Sequence, residues 1–149
     1  MKNLYSNADT EAIVNRIDQL KPDSERLWGK MDVAQMMAHC SAALEMATGH
    51  TSPSRLLIGR ILGPLVKSGY LSDKPFPKNS PTDKTFIITD KRVFEKERTK
   101  LKKLVMEFAN GGAEKCTAHP HSFFGKLTPQ EWSSSMYKHL DHHLHQFGV

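Results

Sequence analysis

Cysteine is nearly absent: Cys40 and Cys116 are the only two in 149 residues. That excludes the disulfide framework that staples many small secreted domains. Long apolar runs are missing as well, and no stretch approaches the roughly 20 residues of a membrane span. The N-terminal Met1-Lys-Asn-Leu-Tyr-Ser-Asn lacks the apolar segment of a signal peptide. The expected compartment is therefore the cytoplasm, with no membrane partner. Strand signals are scarce too; Phe86-Ile87-Ile88 is too short to argue for a sheet. No internal repeat and no low-complexity segment is visible.

The length fits one domain, residues 1–149, with a real core. The net charge of +5 raises the question of nucleic acid. The densest basic stretch holds Lys91, Arg92, Lys96, Arg98, Lys100, Lys102 and Lys103. Glu95 and Glu97 interrupt it, and Phe94, Leu101 and Leu104 give it an apolar stripe. That is the solvated face of an amphipathic helix. No helix-turn-helix or zinc-finger pattern accompanies it, so no specific nucleic-acid partner is expected.

The chain reads as helical almost throughout. A first helix starts near Asp9 or Thr10, carries Ile13, Val14, Ile17 and Leu20 inward, and ends before Pro22. A second runs from about Met31 to Thr48, with Gly49 as its stop and Val33, Met36, Met37, Cys40, Leu44 and Ala47 facing the core. Its methionines, Met31, Met36, Met37 and Met46, suit an adaptable pocket but read more simply as core filling. Ser52-Pro53 resembles a cap with proline at the first helical position of a short apolar helix, Ile58 to Val66, which Pro64 kinks or interrupts. Residues 72–89, with Pro75, Pro77 and Pro81, form a long irregular connection that either covers a site, makes a dimer contact or only joins two helix ends. A further helix spans about Asp90 to Ala109 and stops at Asn110-Gly111-Gly112. The last one opens on Thr128-Pro129-Gln130-Glu131, a capping box with proline at N1, and runs to about Phe147. Four main helices predict an all-α fold, an antiparallel four-helix bundle with an extra short helix.

Histidine is concentrated: His139, His142, His143 and His145 fall within seven residues on the last helix. Stepping 100° per residue from Trp132 puts Trp132, Met136, His139, His143 and Phe147 within roughly an 80° sector, with Leu140 beside it. His142 and His145 point off that face. Two imidazoles at i and i+4 in a core need partners. A metal ion supplies one; the alternative is a pair of core-edge histidines bonded to carbonyls or water. His39 lies on the flank of the second helix, where a lone histidine is more often structural. Cys40 is about 100° away and reads as a small buried hydrophobe. Asp141 falls roughly opposite the inward face, a surface carboxylate. No general base stands out.

Two segments are more specific. Trp28-Gly-Lys-Met-Asp-Val-Ala-Gln-Met-Met-Ala-His39, and Phe124-Gly-Lys-Leu-Thr-Pro-Gln-Glu-Trp132 through His139-Leu-Asp-His-His143, resemble an uncharacterised, domain-of-unknown-function branch of the DinB/YfiT-like superfamily. Asn79-Ser-Pro-Thr82 and the helix after it also fit, so the resemblance covers nearly the whole chain. It implies a bundle of DinB/YfiT type in which three histidines, here His39, His139 and His143, hold a divalent metal, zinc or nickel, with open positions for water or substrate. Relatives carry a compact His-Pro-aromatic-Phe-Gly loop. Here His119-Pro120-His121-Ser122-Phe123-Phe124-Gly125 is two residues longer, and either His119 or His121 takes the family position. Either contacts substrate, supports a ligand, or is an ordinary loop histidine.

The resemblance further implies a metal-activated thiolate or hydroxide attacking a small electrophile, with a low-molecular-weight thiol as co-substrate in an S-transferase, or a hydrolase. The competing expectation is a bundle, as a monomer or a homodimer, that binds a metal or small ligand without catalysis.

Overall fold

The computed structural model describes residues 1–80 and 86–149, and over these the chain is all-helical with no named strand. Pro81 and Thr82 lie outside the described residues. Five α-helices follow one another: α1 (Asn7–Gln19), α2 (Val33–Ala47), α3 (Leu57–Leu71), α4 (Phe94–Gly111) and α5 (Pro129–Gln146), with a 3-10 turn at Ala113–Lys115. Both α1 and α2 pack against α4 and α5, while α3 lies against α5. This packing is that of a helical bundle. Ile13 and Ile17 from α1, Met37 and Leu44 from α2, Leu101 from α4 and Trp132 and Leu140 from α5 are among the residues that close its core. Among the described residues no helix is long and apolar enough to cross a membrane.

The helix starts separate local chemistry from tertiary choice. Ser6, not Asp9 or Thr10, caps α1, its hydroxyl accepting from the Asp9 N–H. Asp9 instead accepts the Asn3 N–H at 3.0 Å, and buried Thr10 donates to the Leu4 carbonyl at 2.8 Å. Both side chains hold down the N-terminal tail. Asp32 caps α2 in a reciprocal box with Gln35, which moves the start to Val33. The Thr128–Glu131 box of α5 forms as expected: Glu131 N–H donates to the Thr128 hydroxyl and Thr128 N–H to the Glu131 carboxylate. That second bond, with Lys67 nearby, holds the Glu131 carboxyl below the usual range.

Several expectations fail at α3 and α4. Ser52 and Pro53 do not open α3. The helix begins at Leu57, after Leu56 has donated its N–H to the Ser122 carbonyl at 3.0 Å. Pro64 does not end it, and at 15 residues it equals α2 and is not short. The carbonyl that Pro64 leaves without its helical partner belongs to exposed Arg60, where water reaches it. Helix α4 starts at Phe94 rather than Asp90, because Asp90 is engaged by Arg92 at 3.0 Å and its carbonyl by Gln35. The basic face of α4 ties the bundle together: Lys100 reaches Glu45 of α2 at 2.8 Å and Lys102 reaches Asp18 of α1 at 2.7 Å. Such exposed pairs contribute little each, roughly 0–1 kcal/mol.

The apolar stripe expected for α2 is too narrow. Twelve of its 15 residues are buried, and His39 is one of them at 5% exposure. Gly49 follows the helix with φ +80°, the left-handed geometry expected of a stop.

Candidate metal centre

The centre is built from α2 and α5, which pack side by side. One turn of α5 separates His139 from His143 and sets their rings edge to face, with centroids 4.7 Å apart. Across the interface, the His39 ring lies 4.9 Å from His139 and 4.7 Å from His143. One ligand-capable nitrogen from each of the three falls within 4.8 Å of the others. His39 and His143 are buried, and His139 keeps partial solvent contact. Among the described residues this is the group of histidine, cysteine and carboxylate side chains whose geometry could hold a metal ion.

Hydrogen bonds decide which nitrogens face inward. His39 Nδ1 lies 2.8 Å from the Phe86 carbonyl, which can only accept, so Nδ1 carries the proton and Nε2 the lone pair. His143 Nδ1 lies 2.9 Å from Gln146 Oε1. The orientation of that amide is settled at its other end, where Gln146 Nε2 donates to the Trp28 carbonyl at 2.7 Å. His143 Nδ1 therefore donates too, leaving Nε2 free for a ligand bond. A ring nitrogen held outward by a carbonyl or amide is the usual support of a metal-bound histidine. His39 Nε2 and His139 Nε2 stand 3.0 Å apart. With no proton on His39 Nε2, His139 Nε2 must donate in the metal-free protein. Nitrogens around a tetrahedral zinc are roughly 3.3 Å apart, given Zn–N near 2.0–2.1 Å. The cluster therefore fits a metal after small ring adjustments and a shift of the His139 proton from Nε2 to Nδ1.

Electrostatics favour neutral rings. Burial lowers the His39 pKa, against a smaller opposing effect of the Phe86 carbonyl. Burial and then the neighbouring His143 and His39 push His139 well below its ordinary value. His143 falls to about 3, from burial first and His39 second, while Gln146 opposes the shift. All three rings are neutral at neutral pH, so each keeps one nitrogen lone pair that a metal can use.

The remaining candidates divide. His121 lies close enough for its charge to be felt at His139. Its Nδ1 accepts the backbone N–H groups of Phe123 and Phe124 at 3.1 and 3.3 Å, so the proton sits on Nε2. A tight turn from His121 to Gly125, whose φ is +77°, fixes that ring beside Trp132. His119 is exposed, and its N–H caps the Thr117 hydroxyl. Of the two loop histidines, the structure brings His121 to the centre and leaves His119 away from it. His142, expected to face water, is half-covered: Trp28 and Phe76 lie 5.6 and 5.9 Å from its ring. His145 stays exposed. Asp141 is not a free surface carboxylate, since Arg16 of α1 bonds it at 2.6 Å. Cys40 is buried against Met36 and its thiol is pushed far up, the behaviour of a small hydrophobe.

Gln146 is the residue that reading the sequence missed. It is 3% exposed and links the Trp28–Gly29 turn to His143. Gly29 has φ +82°, and a Cβ there would run into Gln146 Nε2. The Trp-Gly pair before α2 thus makes room for the amide that orients a ligand. Its place beside His139 on the inward face, by 100° steps, was the available signal.

No curated protein and no solved structure matches the chain. A family model described as a protein of unknown function, DUF1569, matches residues 2–148. The chain therefore belongs to the DUF1569 family of proteins of unknown function.

Proposed function

We propose that this protein is a divalent-metal-dependent enzyme acting on a small electrophile, as a thiol-dependent S-transferase or a hydrolase. The observation that carries the reading is the convergence of the His39, His139 and His143 Nε2 atoms, with the outward nitrogens of His39 and His143 already bonded. The resemblance to the DinB/YfiT-like superfamily supports the same three ligands and favours zinc or nickel. When bound, such an ion polarises a carbonyl or lowers the pKa of a thiol or water. His139, the most accessible of the three, marks the side from which a small molecule reaches the centre. His121, held by its turn, is near enough to influence His139 electrostatically.

The deep burial of His39 and His143 favours a second reading, a bundle that binds a metal without catalysis. The two differ in the coordination shell: a structural ion is closed by protein ligands, a catalytic one keeps an exchangeable position.

The test is elemental analysis of protein purified without chelator, beside the His139→Ala/His143→Ala double variant. About one divalent ion per wild-type chain, absent from the variant, is the expected outcome. A wild type that neither carries nor takes up zinc or nickel defeats both readings. Water relaxation of a paramagnetic cobalt form then separates them, since exchange at the metal supports catalysis.

A further inference from the structure

Helix α3 is turned inside out. Its buried residues are Gly59 and Gly63. A Cβ on Gly59 would lie 2.7 Å from Phe123 Cα, and one on Gly63 would strike the Phe123 carbonyl. The two glycines let the helix backbone lie directly on the 123–124 loop. Lys138 of α5 fixes its far end by donating to the Tyr70 and Ser72 carbonyls at 2.9 and 2.8 Å. With that side spent on glycine, the large side chains from Leu57 to Val66 point away from the protein, and only Tyr70 and Leu71 at the far end pack inward. Leu57, Ile61 and Leu65 are 77%, 72% and 75% exposed, and Ile58, Leu62 and Val66 lie beside them at 58%, 41% and 48%.

These exposures amount to roughly 700 Å² of aliphatic surface, above the roughly 300–600 Å² of the largest patch on a typical monomer. Each partner in a standard protein interface contributes roughly 800 Å². The ridge Leu57–Ile61–Leu65 repeats every fourth residue, the spacing that interdigitates with the same ridge on another helix. Arg60 and Lys67 lie together on one flank, and Lys67 already pairs with Glu131 at 3.6 Å. A membrane-surface helix carries a Lys/Arg-rich face opposite its apolar one, and the face opposite this ridge is Gly59 and Gly63 against a loop. A rim charged on one side around a flat aliphatic centre instead fits a protein interface.

We infer that the outward face of α3 is a self-association surface, on which α3 of a second copy of this chain packs about a two-fold axis. Such an isologous contact needs only this one patch, because each copy presents the ridge that the other covers.

The experiment is sedimentation velocity on the full chain from low to high micromolar concentration, with Ile61→Glu/Leu65→Glu as the variant. Both side chains are exposed, so circular dichroism should show wild-type helicity and confirm that the variant folds. The expected result is a wild-type dimer and a monomeric variant. A wild type that stays monomeric overturns the inference, as does a variant that still dimerises. Flotation with anionic phosphatidylserine vesicles adds a further arm. Vesicle capture of a wild type that is monomeric in solution would assign the face to lipid and overturn the second-copy reading.

Discussion

Helices α3 and α5 have opposite habits. Both are amphipathic, yet α5 turns Trp132, Leu140 and Leu144 into the core, while α3 turns Gly59 and Gly63 inward and Leu57, Ile58, Ile61 and Leu65 out. The difference lies in what each meets. Helix α5 faces α1 and α2 across space that large side chains fill, and α3 meets a loop backbone so close that only hydrogen fits. A periodic apolar stripe identifies a face that avoids water, but not whether the molecule itself covers it.

Substitution to alanine should sharpen the contrast most. Leu140→Ala empties a site that is 1% exposed and should cost about 2–5 kcal/mol, whereas Leu65→Ala in a monomer should stay within about 0.5 kcal/mol. Urea titration of both variants at low protein concentration measures the difference. Equal effects would mean that α3 is covered within the monomer.

Acid is the next lever, and it acts at the histidine centre that α5 shares with α2. His143 has its pKa lowered from 6.5 to about 3 in the folded chain. Between these values the unfolded chain binds a proton that the folded chain does not. Stability is thus intact above pH 6.5 and lost as pH falls toward 3, by about 1.4 kcal/mol per pH unit for one such histidine. His39 and His139 shift in the same direction. Metal-free protein should lose stability more gently over this range when His143 is replaced by Gln, as denaturation at several pH values would show.

Removing the support of a ligand should have a smaller effect than removing the ligand. Gln146→Ala leaves the His143 Nδ1–H without its acceptor and should weaken metal binding about 10–100-fold. Gly29→Ala should act in the same direction by displacing Gln146. Competition titration with a metal chelator gives both values. An unchanged affinity for Gln146→Ala would remove Gln146 from the centre's support.

The smallest effects separate glycines within α3. Gly69→Ala meets open space and should stabilise by about 0.4–1 kcal/mol, because alanine restricts the unfolded chain and suits a helix. Gly63→Ala gains the same propensity but drives a Cβ into the Phe123 carbonyl, so its net effect should be a loss. Thermal melts of the two variants should therefore move in opposite directions.

Much of the centre was legible because helix geometry is local. The i, i+4 spacing of His139 and His143 and the angular position of Trp132 and Leu140 depend on 100° steps alone, and the structure agrees with them. The Thr128–Glu131 box was equally local. The misread positions depend on partners outside their own helix. Asp9 and Thr10 serve the N-terminal tail, Asp141 serves Arg16, and Trp28 and Phe76 cover His142. Gln146 acquires its role only when the Trp28 carbonyl arrives beside it.

The sequence by itself determined an all-helical chain, the capped start of α5 and a histidine pair on that helix's inward face. These follow from bonds and angles between residues a few positions apart. Only the tertiary structure decided that His39 meets that pair, that His121 rather than His119 approaches it, and that α3 shows its aliphatic face to the outside. Each of these depends on how closely two remote backbones approach, and no periodicity within one helix records that distance.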